Sequence, residues 1–200
     1  MDRLTEELIN RLFVEMEASG RHVHLSEAAA LSLYGHPLTP LKELSQPGQF
    51  VARERISLIT PKGRIDKVAV LGPERKDCQV ELSKTDCVAL GLKAPLRDSG
   101  DVRNTPGLTL ANGDREYPIG EGVIVAKRHI HMTPGDAENR GLRDGQRVKL
   151  RTFSARPLIF EDVTVRVSPN YRTYVHLDYD EANACGFAPG DMGMIQTEGE

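Results

Sequence analysis

One six-residue pattern, Arg-His-x-His-x-Ser/Thr, occurs twice in this chain. It reads Arg21-His22-Val23-His24-Leu25-Ser26 the first time and Arg128-His129-Ile130-His131-Met132-Thr133 the second. The residue between the histidines is β-branched in both copies, and the residue after them is apolar. β-Branched side chains favour extended backbone, and in a strand residues i and i+2 share a face. Each copy therefore presents two imidazoles on one side of a strand, close enough to share a metal ion at ~2.0–2.1 Å. The pattern constrains the chain to a duplicated β unit with a metal candidate in each copy.

The repeat reaches beyond the histidine pairs. Residues 80–92 can be laid on residues 175–187, with Val, Leu, Ala and Gly coinciding. In this register, an offset of 95 residues, Glu81 stands where His176 stands, and an acid follows each by five. The histidine pairs are offset by 107, so the second copy is shorter inside by 12. Each unit then supplies three donors: His22, His24 and Glu81 from one, His129, His131 and His176 from the other. Three protein ligands with an open position is the layout of a catalytic zinc, whereas a structural zinc is closed by four. Imidazole and carboxylate without thiolate also suit Fe, Co, Ni or Mn. Zinc is the first expectation, because five of the six donors are imidazole. A single His-x-His is more often a packed or surface pair; duplication in matching context reverses that reading. His36, without a counterpart, reads as a surface loop residue. Arg75 follows Gly72-Pro73 and on composition alone reads as a solvated loop arginine. Arg21 and Arg128 suit salt bridging or packing as well as catalysis.

Composition narrows the classes of function. The net charge of −3 excludes a broad nucleic-acid surface. No apolar run approaches the ~20 residues of a membrane span, and the N-terminus does not read as a secretory signal. Three widely spaced cysteines argue against a disulfide framework and for a reducing cytosol. Cys87 and Cys185 read as buried thiols, Cys78 as partly exposed. No nucleotide-binding glycine loop, serine-hydrolase elbow or Walker motif is present.

The local pattern is of many short strands with Gly/Pro turns and brief helices. An amphipathic helix is expected over 2–12. Val14–Ala18 reads as a strand, or as an extension of that helix. Ser26-Glu27 caps a short helix over Ala28–Leu33. Strands are expected at Gln49–Ala52, Ile56–Ile59, Val68–Leu71, Gln79–Leu82, Leu108–Leu110 and Gly122–Ala126, with a helix at Thr85–Leu90. Thr133-Pro134 opens another helix. Strands follow at Arg147–Thr152, Leu158–Phe160, Val163–Val167 and Thr173–Leu177, then a last helix near Asp180. This pattern belongs to small barrels or sandwiches.

Residues 14–192 resemble the phosphate acyltransferases of the PduL type, the phosphate propanoyltransferases. The resemblance rests on both histidine motifs and on Leu44–Phe50, Leu71-Gly72-Pro73, Gln79-Val80-Glu81, Ala94–Asp101 and Asp180–Ala184. It implies a mainly β fold of two small barrels capped by short helices, with a dinuclear zinc site between them. The units expected are an N-terminal helix over 1–12, a first barrel over 21–126 and a second over 127–200, completed by strand 13–20. The implied activity moves a short acyl group between coenzyme A and inorganic phosphate. By the same resemblance His22, His24 and Glu81 hold one zinc, and His129, His131 and His176 hold the other, which also takes the coenzyme A sulfur. Arg75 matches a phosphate-binding arginine. Lys42, Leu71 and Asn183 fall at coenzyme A contacts, and Ala69 stands where relatives carry a coenzyme-A-contacting arginine.

Expected partners are acyl-CoA and phosphate, not nucleic acid or membrane, with self-association left open. Some relatives carry an added peptide that directs them into a bacterial microcompartment. Here the helical stretch abuts the first strand without a linker, which favours the cytosol. Direct attack by phosphate is expected, since no activated Ser or Cys is evident and Cys78 is the one thiol worth testing. Two alternatives are a dinuclear metallohydrolase acting on thioesters and a non-catalytic metal-binding protein.

Overall fold

The computed structural model describes residues 11–197. The expected helix over 2–12 lies outside these except for its last two positions, which are helical. The chain divides into two compact units. The N-terminal unit runs from Gly20 to Ala126; the other joins the segment ending at Ser19 to the chain from Lys127 onward.

The described chain opens with β1 (Phe13–Ser19), which settles the residue 14–18 ambiguity as strand. The N-terminal unit then contains β2 (His22–His24), α1 (Glu27–Tyr34), β3 (Pro40–Glu43), β4 (Phe50–Thr60), β5 (Gly63–Gly72), β6 (Gln79–Glu81), α2 (Lys84–Leu90), β7 (Leu96–Arg97), β8 (Leu108–Asn112), β9 (Arg115–Ile119) and β10 (Val123–Ala126). The C-terminal unit contains β11 (His129–Met132), α3 (Pro134–Asn139), β12 (Arg147–Phe153), β13 (Ile159–Val167), β14 (Tyr174–Asp178), α4 (Tyr179–Cys185) and β15 (Met192–Gln196).

The C-terminal unit is a closed six-stranded barrel in the order β1-β14-β11-β13-β12-β15. The N-terminal unit is one nine-stranded sheet in the order β7-β10-β6-β2-β5-β4-β8-β9, with β3 on β4. It is a half-barrel, because its end strands β7 and β9 are not bonded to each other. The fold is therefore mainly β, with one barrel closed and one open.

Four central strands repeat between the units, β6-β2-β5-β4 matching β14-β11-β13-β12. In each set the histidine strand runs parallel to one neighbour and antiparallel to the strand of the third candidate donor. The repeat includes a bulge. Lys67 (φ 57) and Asp162 (φ 59), 95 residues apart, hold left-handed backbone without being glycine, each where the register to the neighbouring strand slips. Such bulges insert an unpaired residue and bend the strand. They explain why Leu158–Phe160 and Val163–Val167 are one bulged strand rather than two.

The flanking strands are exchanged. β1 precedes the first histidine pair yet pairs in parallel with β14, placing Glu17 opposite His176. β10 precedes the second pair yet pairs in parallel with β6, placing Ile124 opposite Glu81. Each unit is thus completed by the strand that leads into the other copy's histidines.

The motif residues explain their own placement. Val23 and Leu25 are fully buried in the N-terminal core, Ile130 and Met132 in the C-terminal core. That apolar face anchors each strand and turns the histidines to the other side. The closing Ser or Thr is a helix N-cap: Ser26 Oγ accepts from the Ala29 amide, Thr133 Oγ1 from the Asp136 amide. Helices α2 and α4 each open on a capping box, Ser83 with Asp86 and Asp178 with Glu181. Each closes on a left-handed glycine, Gly91 or Gly186. Strands β3, β9 and β15 were not expected. β3 is exposed along its whole length and so lacks alternation, and β9 and β15 contain Pro118 and Gly193, which read as breakers.

Candidate metal centres

The antiparallel pairing of β2 with β6 sets His22 directly opposite Glu81, and that of β11 with β14 sets His129 opposite His176. The second histidine of each motif follows two residues on. His22, His24 and Glu81 each offer a donor atom within 4.8 Å of the others, and so do His129, His131 and His176. Both sets expected from the sequence are thereby brought together, each inside its own unit.

The imidazoles are used in the same way in both units. His22 Nδ1 lies 2.8 Å from the Gly20 carbonyl, and His129 Nδ1 lies 2.8 Å from the Lys127 carbonyl. A carbonyl only accepts, so each Nδ1 donates and Nε2 keeps its lone pair for a metal. His24 Nδ1 and His131 Nδ1 are buried without any hydrogen-bond partner. An orphaned buried nitrogen is costly unless something ligates it. Burial, reinforced by the neighbouring His22, lowers the His24 pKa to about 2. Burial, with His129 beside it, lowers His131 to about 3. Both rings are neutral in the folded protein, the form that binds metal.

Glu81 is buried and held at one end. Its Oε1 accepts from Gln79 Nε2 at 2.6 Å and from Ser99 Oγ at 2.8 Å. Gln79 is fixed in turn, because its Oε1 accepts from the Gly100 amide at 2.8 Å. Glu81 Oε2 is turned toward His22, 3.6 Å from its Nε2. In the all-histidine triad, the Glu17 carboxylate lies 3.7 Å from His176 Nδ1. Tyr171 stacks on His131 with ring centroids 3.9 Å apart. These donors fit a divalent ion of the zinc class: each set has three nitrogen or oxygen ligands, one of them an orphaned imidazole nitrogen. The triad with Glu81 carries one negative charge and the other carries none.

Arg75 is half-buried rather than a solvated loop residue. Its amide donates to the Leu25 carbonyl at 2.8 Å and it forms a bridge with Ser26, which brings it beside the histidine strand. Burial lowers its pKa while the Glu81 charge opposes that, and its own charge helps depress His24. Lys42 and Leu71 share one cross-strand row, both opposite Val51 on β4, and Lys42 is exposed. Asn183 is exposed on α4. Ala69 lies beside His22 in register. His36 is exposed as expected.

Cys78 differs from expectation. It is buried, with its sulfur accepting from the Ser26 amide at 3.3 Å. The reason is its position just before β6, where it packs into the N-terminal core.

Sequence reasoning assigned no role to Gln79, Ser99, Glu17 or Tyr171. Gln79 carried a signal, since it lies two residues before Glu81 and shares its strand face. Glu17 and Tyr171 carried none, because their proximity comes from strand pairing and a loop. Among the described residues no helix is long and apolar enough to cross a membrane.

A family model described as phosphate propanoyltransferase matches residues 15–188. A phosphate propanoyltransferase of Listeria monocytogenes is 51% identical over 98% of this chain and 92% of its own length. One of Enterococcus faecalis is 50% identical over 98% of this chain and 96% of its own. A third, of Thermotoga maritima, is 48% identical over 88% and 86%. With a family model spanning most of the chain and relatives at half identity over nearly all of it, the chain belongs to the phosphate propanoyltransferase family of acyltransferases.

Proposed function

We propose that this chain transfers a short acyl group between coenzyme A and inorganic phosphate, with one divalent metal ion in each triad. The observation that carries the reading is the duplicated donor set, with an orphaned imidazole nitrogen in each and Arg75 beside one of them. The half-buried guanidinium of Arg75 binds phosphate by paired hydrogen bonds and offsets its charge. The Gln79–Ser99 clamp keeps Glu81 Oε2 available to a metal, and the Glu17 carboxylate stands on the Nδ1 side of His176. Bound ions of the zinc class would supply Lewis acidity, offsetting the charge of phosphate and of a departing thiolate.

The reaction is a single displacement. A phosphate oxygen attacks the thioester carbonyl carbon, the carbon–sulfur bond breaks and the coenzyme A thiolate leaves. An acyl-enzyme has little support, because all three thiols are buried and Cys78 is engaged with Ser26. Cysteines outside disulfides suit a reducing compartment, and we place the enzyme in the cytosol.

The test is thiol release from propionyl-CoA and its shorter and longer homologues, with and without phosphate, alongside metal analysis. Release that depends on phosphate and yields acyl phosphate supports transfer; release without phosphate points to a thioester metallohydrolase. Arg75→Ala should raise the KM for phosphate about 10- to 100-fold, the loss of a charge-assisted contact, without changing metal content. Equal loss of metal would make Arg75 structural.

A further inference from the structure

In each unit an arginine immediately precedes the first histidine, and an acid stands five residues after the third candidate ligand. The structure joins them. Arg21 Nη2 lies 2.9 Å from Asp86 Oδ1, and Arg128 Nη1 lies 2.6 Å from Glu181 Oε1. Both acids divide their two oxygens alike. Asp86 Oδ2 accepts from the Ser83 amide and Glu181 Oε2 from the Asp178 amide, closing the capping boxes of α2 and α4. Each cap lies two residues beyond Glu81 or His176, on the strand paired with the histidine strand. One carboxylate therefore ties the residue before the first donor to the turn just after the third.

We infer that Arg21 and Arg128 are positioning residues that set the spacing of the three donors in their own triads. The geometry leaves little other work for them. Each guanidinium is engaged by an acid that is part of a helix cap rather than by a candidate ligand. Both brackets span the one cross-strand pair that every triad uses, His22 with Glu81 or His129 with His176. A surface ion pair on its own contributes little. These pairs differ because Asp86 is almost wholly buried and Glu181 mostly so, each already fixed by its cap. Arg128 is held more firmly than Arg21, since its Nε also donates to the Glu161 carbonyl at 2.8 Å.

This inference rests on the metal reading proposed above, and the experiment separates the two. Full-length wild type, R21A, R21K, R128A and R128K are titrated with Zn²⁺ against a chromophoric chelator and with Co²⁺ by visible absorption. Loss of outer-sphere support typically weakens metal binding by 10- to 100-fold. R21A should show that loss for one of the two ions and leave the other unchanged, with R128A affecting the other ion. R21K should restore most of the affinity, because the Asp86 contact uses one N–H. R128K should restore less, because it cannot also reach the Glu161 carbonyl in the same way. Two ions bound by wild type and unchanged in the alanine variants would overturn the inference, as would equal weakening of both ions by either variant. Where an alanine variant fails to fold, R21Q or R128Q, which keeps bulk but not charge, takes its place and should show the same selective loss. Wild type that binds no metal overturns the metal reading itself.

Discussion

Glu81 has one carboxylate oxygen engaged and the other turned toward His22. Gln79 and Ser99 both occupy Oε1, so Oε2 is the atom left for a ligand. Ser99→Ala removes one of these anchors without changing any donor. It should weaken the ion at the Glu81 triad by roughly 10- to 100-fold and spare the all-histidine triad, measured by chelator competition. At the same scale, the buried neutral His24 and His131 make the metal-free protein sensitive to acid. An unfolded histidine titrates near ~6.5, whereas these two remain neutral down to about 2 and about 3 because of burial and a neighbouring imidazole. Below ~6.5 the unfolded chain binds protons that the folded chain refuses. Stability of the chelated protein is therefore full above that pH and falls beneath it, by roughly 1 kcal/mol per pH unit for each histidine. Thermal melts in chelator from about pH 7.5 to pH 5 check this; a flat profile refutes it. The donors themselves could be read from residue types and spacing. Apart from Gln79, their supports could not, because Ser99 comes from a loop and Glu17 from a strand far away in the chain.

At the level of elements, close approach sets the tolerances. A Cβ on Gly63, the first residue of β5, would stand 2.2 Å from the Ala89 carbonyl oxygen of α2. Backbone on the far side cannot swing away, so the hairpin and helix must part. Gly63→Ala should cost about 1–3 kcal/mol, seen as a lower Tm with metal content retained. Elements marked by caps were legible: the Ser/Thr that ends each histidine motif announced α1 and α3. Pairing was not legible, nor were the bulges at Lys67 and Asp162. Lys does not signal left-handed backbone, and Asp adopts it too seldom to announce a bulge alone, so β13 looked like two strands.

For the whole chain, the exchanged strands decide which unit a mutation damages. Met16 is buried in the C-terminal core although it lies before the first histidine pair. Met16→Ala should cost about 2–5 kcal/mol. Its effect on hydrogen exchange should concentrate in β14 and β15, the neighbours of β1, rather than in β2 and β6. Faster exchange in β2 instead would contradict the observed pairing. The duplication was visible in the sequence because ligands and caps recur at fixed offsets. The open half-barrel was not, because closure depends on which end strands meet.

That openness has a consequence for solubility. A sheet with free edge strands, here β7, β9 and β3, invites another chain to add a strand and grow by stacking. Here β7 is only two residues long, at Leu96–Arg97, β9 carries Pro118, whose nitrogen has no proton to donate, and the short β3 opens on Pro40 and carries the charges of Lys42 and Glu43. The closed barrel presents no border at all, so the protein limits fibril-like self-assembly by closing one unit and by blunting the margins of the other.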